Sequence, residues 1–170
     1  IFLFFFVLSF QLQAQVSFNR GVNLTGWFQT SSAQQIQFTK YTKKDSRIQY
    51  MGVAPNAEVV AAELDASLLV NPRPTHEEFT KYSFPSKNIE YMASGTPLLT
   101  TKLPGMPKEY YPYVFLIENE SVEGYAKALE SVLAQSDEEL YVFGEKAKDF
   151  VLEKKNSFEQ AKRVIELIKL

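Results

Sequence analysis

The 170-residue sequence contains no cysteine, which removes disulfides, thiolate nucleophiles and thiolate-bound zinc together. Its single histidine, His76, leaves too few imidazoles for most transition-metal sites, so no metal site is expected. A third absence is local: the first 44 residues hold no Asp or Glu, and all 20 acids fall from Asp45 onward. Residues 1–44 carry four basic groups (Arg20, Lys40, Lys43, Lys44), whereas residues 45–170 carry 14 bases against 20 acids, a balance of −6. That balance argues against a nucleic-acid surface, and the break in charge predicts two unlike segments joined near Asp45. What is present, 45% hydrophobic and 22% charged residues, is the composition of a soluble globular chain with room for one full core.

Residues 1–10 (IFLFFFVLSF) form an apolar run well short of the roughly 20 residues that a membrane-spanning helix needs. With QLQAQ after it and Ala14 as a cleavage position, the run reads as an export signal that lacks its initiator Met and basic start. The competing reading is a buried N-terminal strand or helix. Residues 1–15 are therefore assigned as signal-like and 16–45 as a poorly ordered, irregular segment. Within it, FNRGVNLTGWF (18–28) resembles the start of a secreted family 5 glycoside hydrolase, a cellulase-like barrel. The resemblance implies a first barrel strand and its loop. Glycoside hydrolysis needs two carboxyl groups flanking the scissile bond, and this segment has none; a full barrel needs about 250 residues. Hydrolysis is not expected. Trp27 and Phe28 read either as a sugar-stacking platform or as core.

From Arg47 onward strand and helix signals alternate, the pattern of an α/β fold with a parallel sheet of about four strands. The strands are placed at 47–52, 67–72, 97–101 and 114–117. A helix opened by Pro55-Asn56 is expected to bury Ala57, Val60, Ala61 and Leu64, which recur at helical spacing. Another runs over 87–94 and stops at Gly95 and Pro97. Three helices close the chain, with apolar stripes at Val122, Tyr125, Ala126, Leu129, Val132 and Leu133, at Leu140, Phe143, Ala147, Phe150 and Val151, and at Phe158, Ala161, Ile165 and Ile168. Ser136 with Glu139, and Ser157 with Gln160, have capping-box spacing.

The stretch FPSKNIEYMASGTPLL (84–99) concentrates the chemistry. With Ser86 as the cap, the backbone N–H groups of Lys87, Asn88 and Ile89 point out of a helix start, where the dipole favours an anion. Lys87 adds a mobile positive charge there, which suits a diphosphate, and Glu90 one turn on can accept both hydrogen bonds from a ribose diol. The bland reading has Ser86 only as a cap, Lys87 solvated and Glu90 as a dipole partner. The loop LPGMP, with Gly105 and Met106, and the 73–85 loop fall beyond the carboxyl ends of strands, where open parallel sheets bind ligands; LPGMP reads equally as a plain surface connection.

LLVNPRPT (68–75), EEFTKYSFPSKNIEYMASGTPLLTT (77–101), LPGMPKEY (103–110) and the closing helices resemble the C-terminal, donor-binding half of a retaining glycosyltransferase of the two-Rossmann-domain (GT-B) type, family 4 or group 1. The resemblance covers residues 46–170. It implies a partial Rossmann-like three-layer sandwich, and a nucleoside-diphosphate sugar as donor substrate with no other cofactor. By the same resemblance Ser83, Phe84, Ser86 and Lys87 line the phosphates, Glu90 binds the ribose and Arg73 contacts the donor; no catalytic residue is assigned. Tyr82 stands where the family often carries a first glutamate, eight positions before the second. The family's Arg and Lys phosphate clamp and its N-terminal acceptor domain would lie upstream, so the chain alone is expected to be inactive. The implied acceptor is a saccharide or a lipid-linked one, and the implied location is the cytoplasm, at the inner face of the membrane, in conflict with the export-like start. Two other readings stand beside this one: a secreted, non-catalytic binding module, and a non-functional chimera of a hydrolase start with a transferase end.

Overall fold

The computed structural model describes residues 5–8, 22–25, 43–45, 47–50 and 54–169. Its centre is a pair of short parallel strands, β4 (Leu68–Asn71) and β5 (Leu98–Thr101), in which every residue is buried. LLVN and LLTT are compact runs without alternation, as strands covered on both faces require. They pair in the register Leu69↔Leu98, Val70↔Leu99, Asn71↔Thr100, and β6 (Phe115–Ile117) extends the sheet in parallel with Leu99↔Phe115. On the other side of β4 lies β2 (Val22–Thr25), also parallel, with Val22↔Leu68. Four parallel strands, β2, β4, β5 and β6, therefore form one side of a six-stranded sheet of order β3-β1-β2-β4-β5-β6.

The membership of that parallel set corrects the sequence reading. The 47–52 stretch forms β3 (Ile48–Tyr50), which pairs antiparallel with β1 (Phe5–Leu8) at the far edge. The segment before residue 46, expected to be irregular, contributes both β1 and β2, joined antiparallel with Phe5↔Thr25. Phe, Val, Leu and Thr dominate these two tetrapeptides, and such side chains favour a pleated surface. The cleavage position at Ala14 and the Trp27–Phe28 pair lie outside the described residues. Where the acids begin, Asp45 accepts hydrogen bonds from the Arg47 backbone at 3.0 Å and from its guanidinium at 2.5 Å. The side-chain bond to Arg47 holds the Asp45 carboxyl at about 2, below its ordinary value.

Alternation along β4 and β5 divides the core into two. Leu69 and Leu98 pack with Tyr91 and Met92 of α2 (Ser86–Ser94) and Ala147 and Val151 of α4 (Asp137–Lys154). Leu68, Val70 and Leu99 pack on the opposite face with Val132 and Leu133 of α3 (Val122–Leu133), joined by Leu140 from the start of α4. Helices on both faces make three layers, as the sequence implies. Among the described residues no helix is long and apolar enough to cross a membrane.

The helices depart from expectation in their faces and caps. In α1 (Asn56–Asp65), Ala57, Val60, Ala61 and Leu64 are exposed, and the buried residues are Val59 and Glu63. The face turned inward is the one opposite the apolar stripe, and it brings Glu63 to within 3.9 Å of the ammonium of a lysine on α2. α5 (Ser157–Ile168) buries no residue, so Phe158, Ile165 and Ile168 are exposed rather than packed. The Ser136–Glu139 capping box forms as expected, with Ser136 N–H donating to Glu139 Oε2 at 2.8 Å and Glu139 N–H to Ser136 Oγ at 3.2 Å. The cap of α5 is instead Asn156, whose Oδ1 accepts from Glu159 N–H at 2.9 Å, which leaves Ser157 as the first helical residue.

Candidate functional site

Strand β4 runs out at Asn71, and the chain crosses the carboxyl edge of the sheet before α2 begins. This crossing is built rather than loose. Arg73 N–H donates to Thr101 Oγ1 at 3.0 Å, and that hydroxyl donates back to the Arg73 carbonyl at 2.7 Å. Thr75 N–H donates to the Glu120 carboxylate at 3.1 Å. A 3-10 turn, Glu78–Lys81, follows; its buried Thr80 donates through Oγ1 to the Glu77 carbonyl at 2.6 Å. The LPGMP loop seals the turn from the other side, with Gly105 N–H donating to the Thr80 carbonyl at 3.1 Å. A Cβ on Gly105 would meet the Thr80, Lys81 and Ser83 carbonyls at 2.9–3.1 Å, so this approach requires glycine. Leu103 and Met106 are buried in the core. LPGMP is thus a packed wall of the edge and not a plain surface connection.

Helix α2 opens differently from the sequence reading. Pro85, with φ −64° and ψ 119°, occupies the cap position and makes no side-chain cap bond; Ser86 is the first helical residue. Proline fits there because its fixed φ leads into the helix and its carbonyl can accept, here from Asn88 N–H at 2.9 Å. The first amides, those of Ser86 and Lys87, still precede the intrahelical ladder and present the positive end of the helix dipole.

Lys87 is not a mobile arm. Its side chain is 8% exposed, and its ammonium lies 2.6 Å from Glu90 Oε2 and 3.9 Å from Glu63 Oε1, with the Tyr91 ring centroid at 5.8 Å. The structure thus brings Lys87 and Glu90 together and adds Glu63, which the sequence reading missed. Glu63 is 2% exposed, and its Oε1 accepts no hydrogen bond. Burial, and next the charge of Glu90, push its carboxyl up to about 7 against the pull of Lys87. Its signal in the sequence was an acid at i+4 from Val59, on the face opposite the apolar stripe, and nothing local linked it to Lys87.

Around this triad sit further polar groups. Asn71 Nδ2 donates to Asn88 Oδ1 at 2.6 Å in the buried interior, and Thr100 Oγ1 donates to the Asn71 carbonyl at 2.9 Å. Asn88 Nδ2 and Arg73 Nε are buried donors without a hydrogen-bond partner. Burial lowers the Arg73 guanidinium from its ordinary value, opposed by the Tyr91 hydroxyl; burial raises that hydroxyl strongly. Unspent donors on Arg73 and Asn88, beside a helix start, fit an anionic ligand better than a finished core.

The remaining predicted residues diverge. Tyr82 is 84% exposed at the end of the turn. Ser83 stands half-buried against Gly105. Phe84 packs on Tyr110, with ring centroids 4.5 Å apart, and so serves the core.

A cavity of about 220 Å³ lies elsewhere, lined by Leu64, Ser67, Ser94, Thr96, Asp137 and Tyr141 among others. Ser67 precedes β4, Ser94 ends α2 and Thr96 precedes β5, so this cavity lies at the amino edge of the sheet, away from the start of α2, and its wall residue Thr96 donates to the Glu63 carbonyl at 2.7 Å. The carboxyl edge is the better candidate because the unsatisfied donors gather there.

A family model described as glycosyl transferases group 1 matches residues 35–150, well over half of the chain. The matched span includes the whole carboxyl edge just described and begins before Asp45. No curated protein and no solved structure matches the chain.

Proposed function

The chain belongs to the group 1 glycosyl transferases, and on that premise we propose that its parallel half is the donor-binding portion of an enzyme that moves a sugar from a nucleoside diphosphate to a saccharide or lipid-linked acceptor. The observation that carries the reading is the meeting of Lys87 and Glu90 at the start of α2, beside the buried donors of Arg73 and Asn88. The donor diphosphate rests on the Ser86 and Lys87 amides with Ser83 and Arg73 beside it, and Glu90, 39% exposed, accepts from the ribose diol. Preorganised amides and a guanidinium stabilise the charge of the departing diphosphate, and the buried Lys87 is the counter-ion of Glu90 until the ribose takes its place. Tyr82 stands at the solvent side of the same edge, where the transferred sugar or the acceptor would lie.

Calorimetric titration with uridine, guanosine and adenosine diphosphoglucose checks this assignment. The tightest of the three should bind Glu90→Ala at least tenfold more weakly than the parent, the equivalent of about 1.4 kcal/mol for lost charge-assisted hydrogen bonds. Equal affinity removes Glu90 from the ribose.

A second reading, a hydrolase start joined to a transferase end, is favoured by one observation, the absence of acids before Asp45. Two others weigh against it: the family match crosses Asp45 from residue 35, and β2 pairs directly with β4. A long read of the source DNA across the Lys44–Arg47 codons separates the two.

A further inference from the structure

Glu63 has no part in the donor reading, yet it is the most deeply buried acid of the described residues and shares its counter-ion with a residue that does. One ammonium, that of Lys87, faces two carboxylates from different helices: Glu90 of α2 at 2.6 Å and Glu63 of α1 at 3.9 Å. Both acids cannot be fully matched by a single cation. The lysine stem is held in the interior, and the gap between the two distances is within reach of rotation about its terminal bonds.

We propose that Glu63 is a positioning residue for the donor site: by competing with Glu90 for the Lys87 ammonium, it sets whether the Glu90 carboxylate is free to take a ribose diol. The proposal rests on Glu90 meeting the ribose. With Glu63 neutral, Lys87 has one anion to serve and stays on Glu90. With Glu63 ionised, a buried carboxylate oxygen that accepts no hydrogen bond draws the ammonium inward, since an unpaired charge there is costly. Glu90, the more exposed of the two, then exchanges the ammonium for the diol.

The groups facing Glu63 are few. From α2 come Lys87, Glu90 and Tyr91, with Arg73 acting beyond Tyr91; the Thr96 hydroxyl donates to the Glu63 carbonyl at 2.7 Å and leaves the carboxylate untouched. Because burial and Glu90 place the Glu63 carboxyl at about 7, its two states exchange near neutral pH. Donor binding favours the ionised state, so it releases a proton and tightens as pH rises through 7. If binding lowers that value by one unit, affinity at pH 6 is about fivefold weaker than at pH 8.

The experiment is calorimetric titration of the full chain with the tightest-binding nucleotide sugar, whose diphosphate is esterified at both ends and does not titrate in this range. Affinity is measured from pH 6 to 8, and at pH 7 in two buffers of different ionisation enthalpy. The expected result is about fivefold tightening with pH and release of a fraction of a proton in the parent, with Glu63→Gln fixed near the parent's pH 6 affinity throughout. His76 is unchanged in that variant, so a slope lost on substitution belongs to Glu63. Binding that is flat with pH, or equally steep in both proteins, overturns the proposal while the donor reading stands. Absence of binding at every pH removes the donor reading and this proposal with it. The proton count needs only the parent protein, so the test survives a variant that does not fold; heats independent of the buffer overturn it alone.

Discussion

A buried acid beside a partly exposed acid and one lysine leaves a thermodynamic mark that can be read without any ligand. The Glu63 carboxyl, raised by burial to about 7 against 4.5 for the unperturbed group, keeps its proton in the folded state while the unfolded chain has already lost it. Between these two values the folded protein binds more protons than the unfolded one, so stability falls as pH rises from 4.5 to 7. Glu63→Gln removes the proton uptake and should be the more stable protein above pH 7, by on the order of 1–3 kcal/mol, with little difference below pH 4.5. Urea unfolding of both proteins at pH 4.5 and 8 measures it; a variant weaker at pH 8 would mean that the ionised pair stabilises the fold. None of this was legible in the sequence. Periodicity offered Ala57, Val60, Ala61 and Leu64 as the inner face, and the partner that reverses the choice sits on another helix. Glu90 and Lys87 could be singled out because they lie three residues apart on one helix start, but their pairing with each other, which holds Lys87 inside, could not.

At the scale of elements, α2 is defined at both ends by residues with restricted or unusual backbones. Pro85 opens it, and Gly95, with φ 85°, closes it while its N–H donates to the Met92 carbonyl at 3.2 Å. The stop was readable, since glycine alone enters the left-handed region without strain. The start was misread by one position at Ser86, as α5 was at Ser157: in α5 the neighbouring Asn156 caps through its side chain, and in α2 Pro85 takes the cap position by its fixed φ alone. Helix α4 meets the end of α2 glycine on glycine: a Cβ on Gly144 of α4 would fall 1.9 Å from the Gly95 carbonyl oxygen. Backbone cannot yield as a flexible side chain would. Gly144→Ala should therefore cost roughly 2–3 kcal/mol or more by prising α4 from the end of α2, although alanine is the better helix former. A thermal melt decides it, and an unchanged or raised midpoint would show that the two helices can part freely.

Across the whole molecule, the parts most legible in the sequence are the most deeply buried. LLVN and LLTT announced β4 and β5 and, with them, the centre of the two apolar clusters that they anchor. What escaped was the sheet beyond them: β2 and β1 come from a region whose sequence carried signals for export and for a barrel start, and strand pairing between distant segments leaves no local trace. The other extreme is α5, legible as an amphipathic helix yet without a buried residue. Removal of residues 157–170 should shift the melting midpoint by less than about 3 °C, since surface segments of this kind hold within roughly 1 kcal/mol. A larger drop would reveal a contact that α5 makes in solution.

The Gly95–Gly144 contact has a reach that its size conceals. A nine-residue helix is about 13 Å long, and α2 is pinned at one end by that contact and at the other carries the first amides on which the proposed donor diphosphate would rest. It works as a lever whose fulcrum lies next to the 220 Å³ cavity, with Gly95 itself in the cavity wall. Any tilt of α4 at the amino edge would then swing the first amides of α2 at the carboxyl edge, and on the proposed reading a wedge placed in the cavity would be felt as a change in donor affinity on the far side of the sheet.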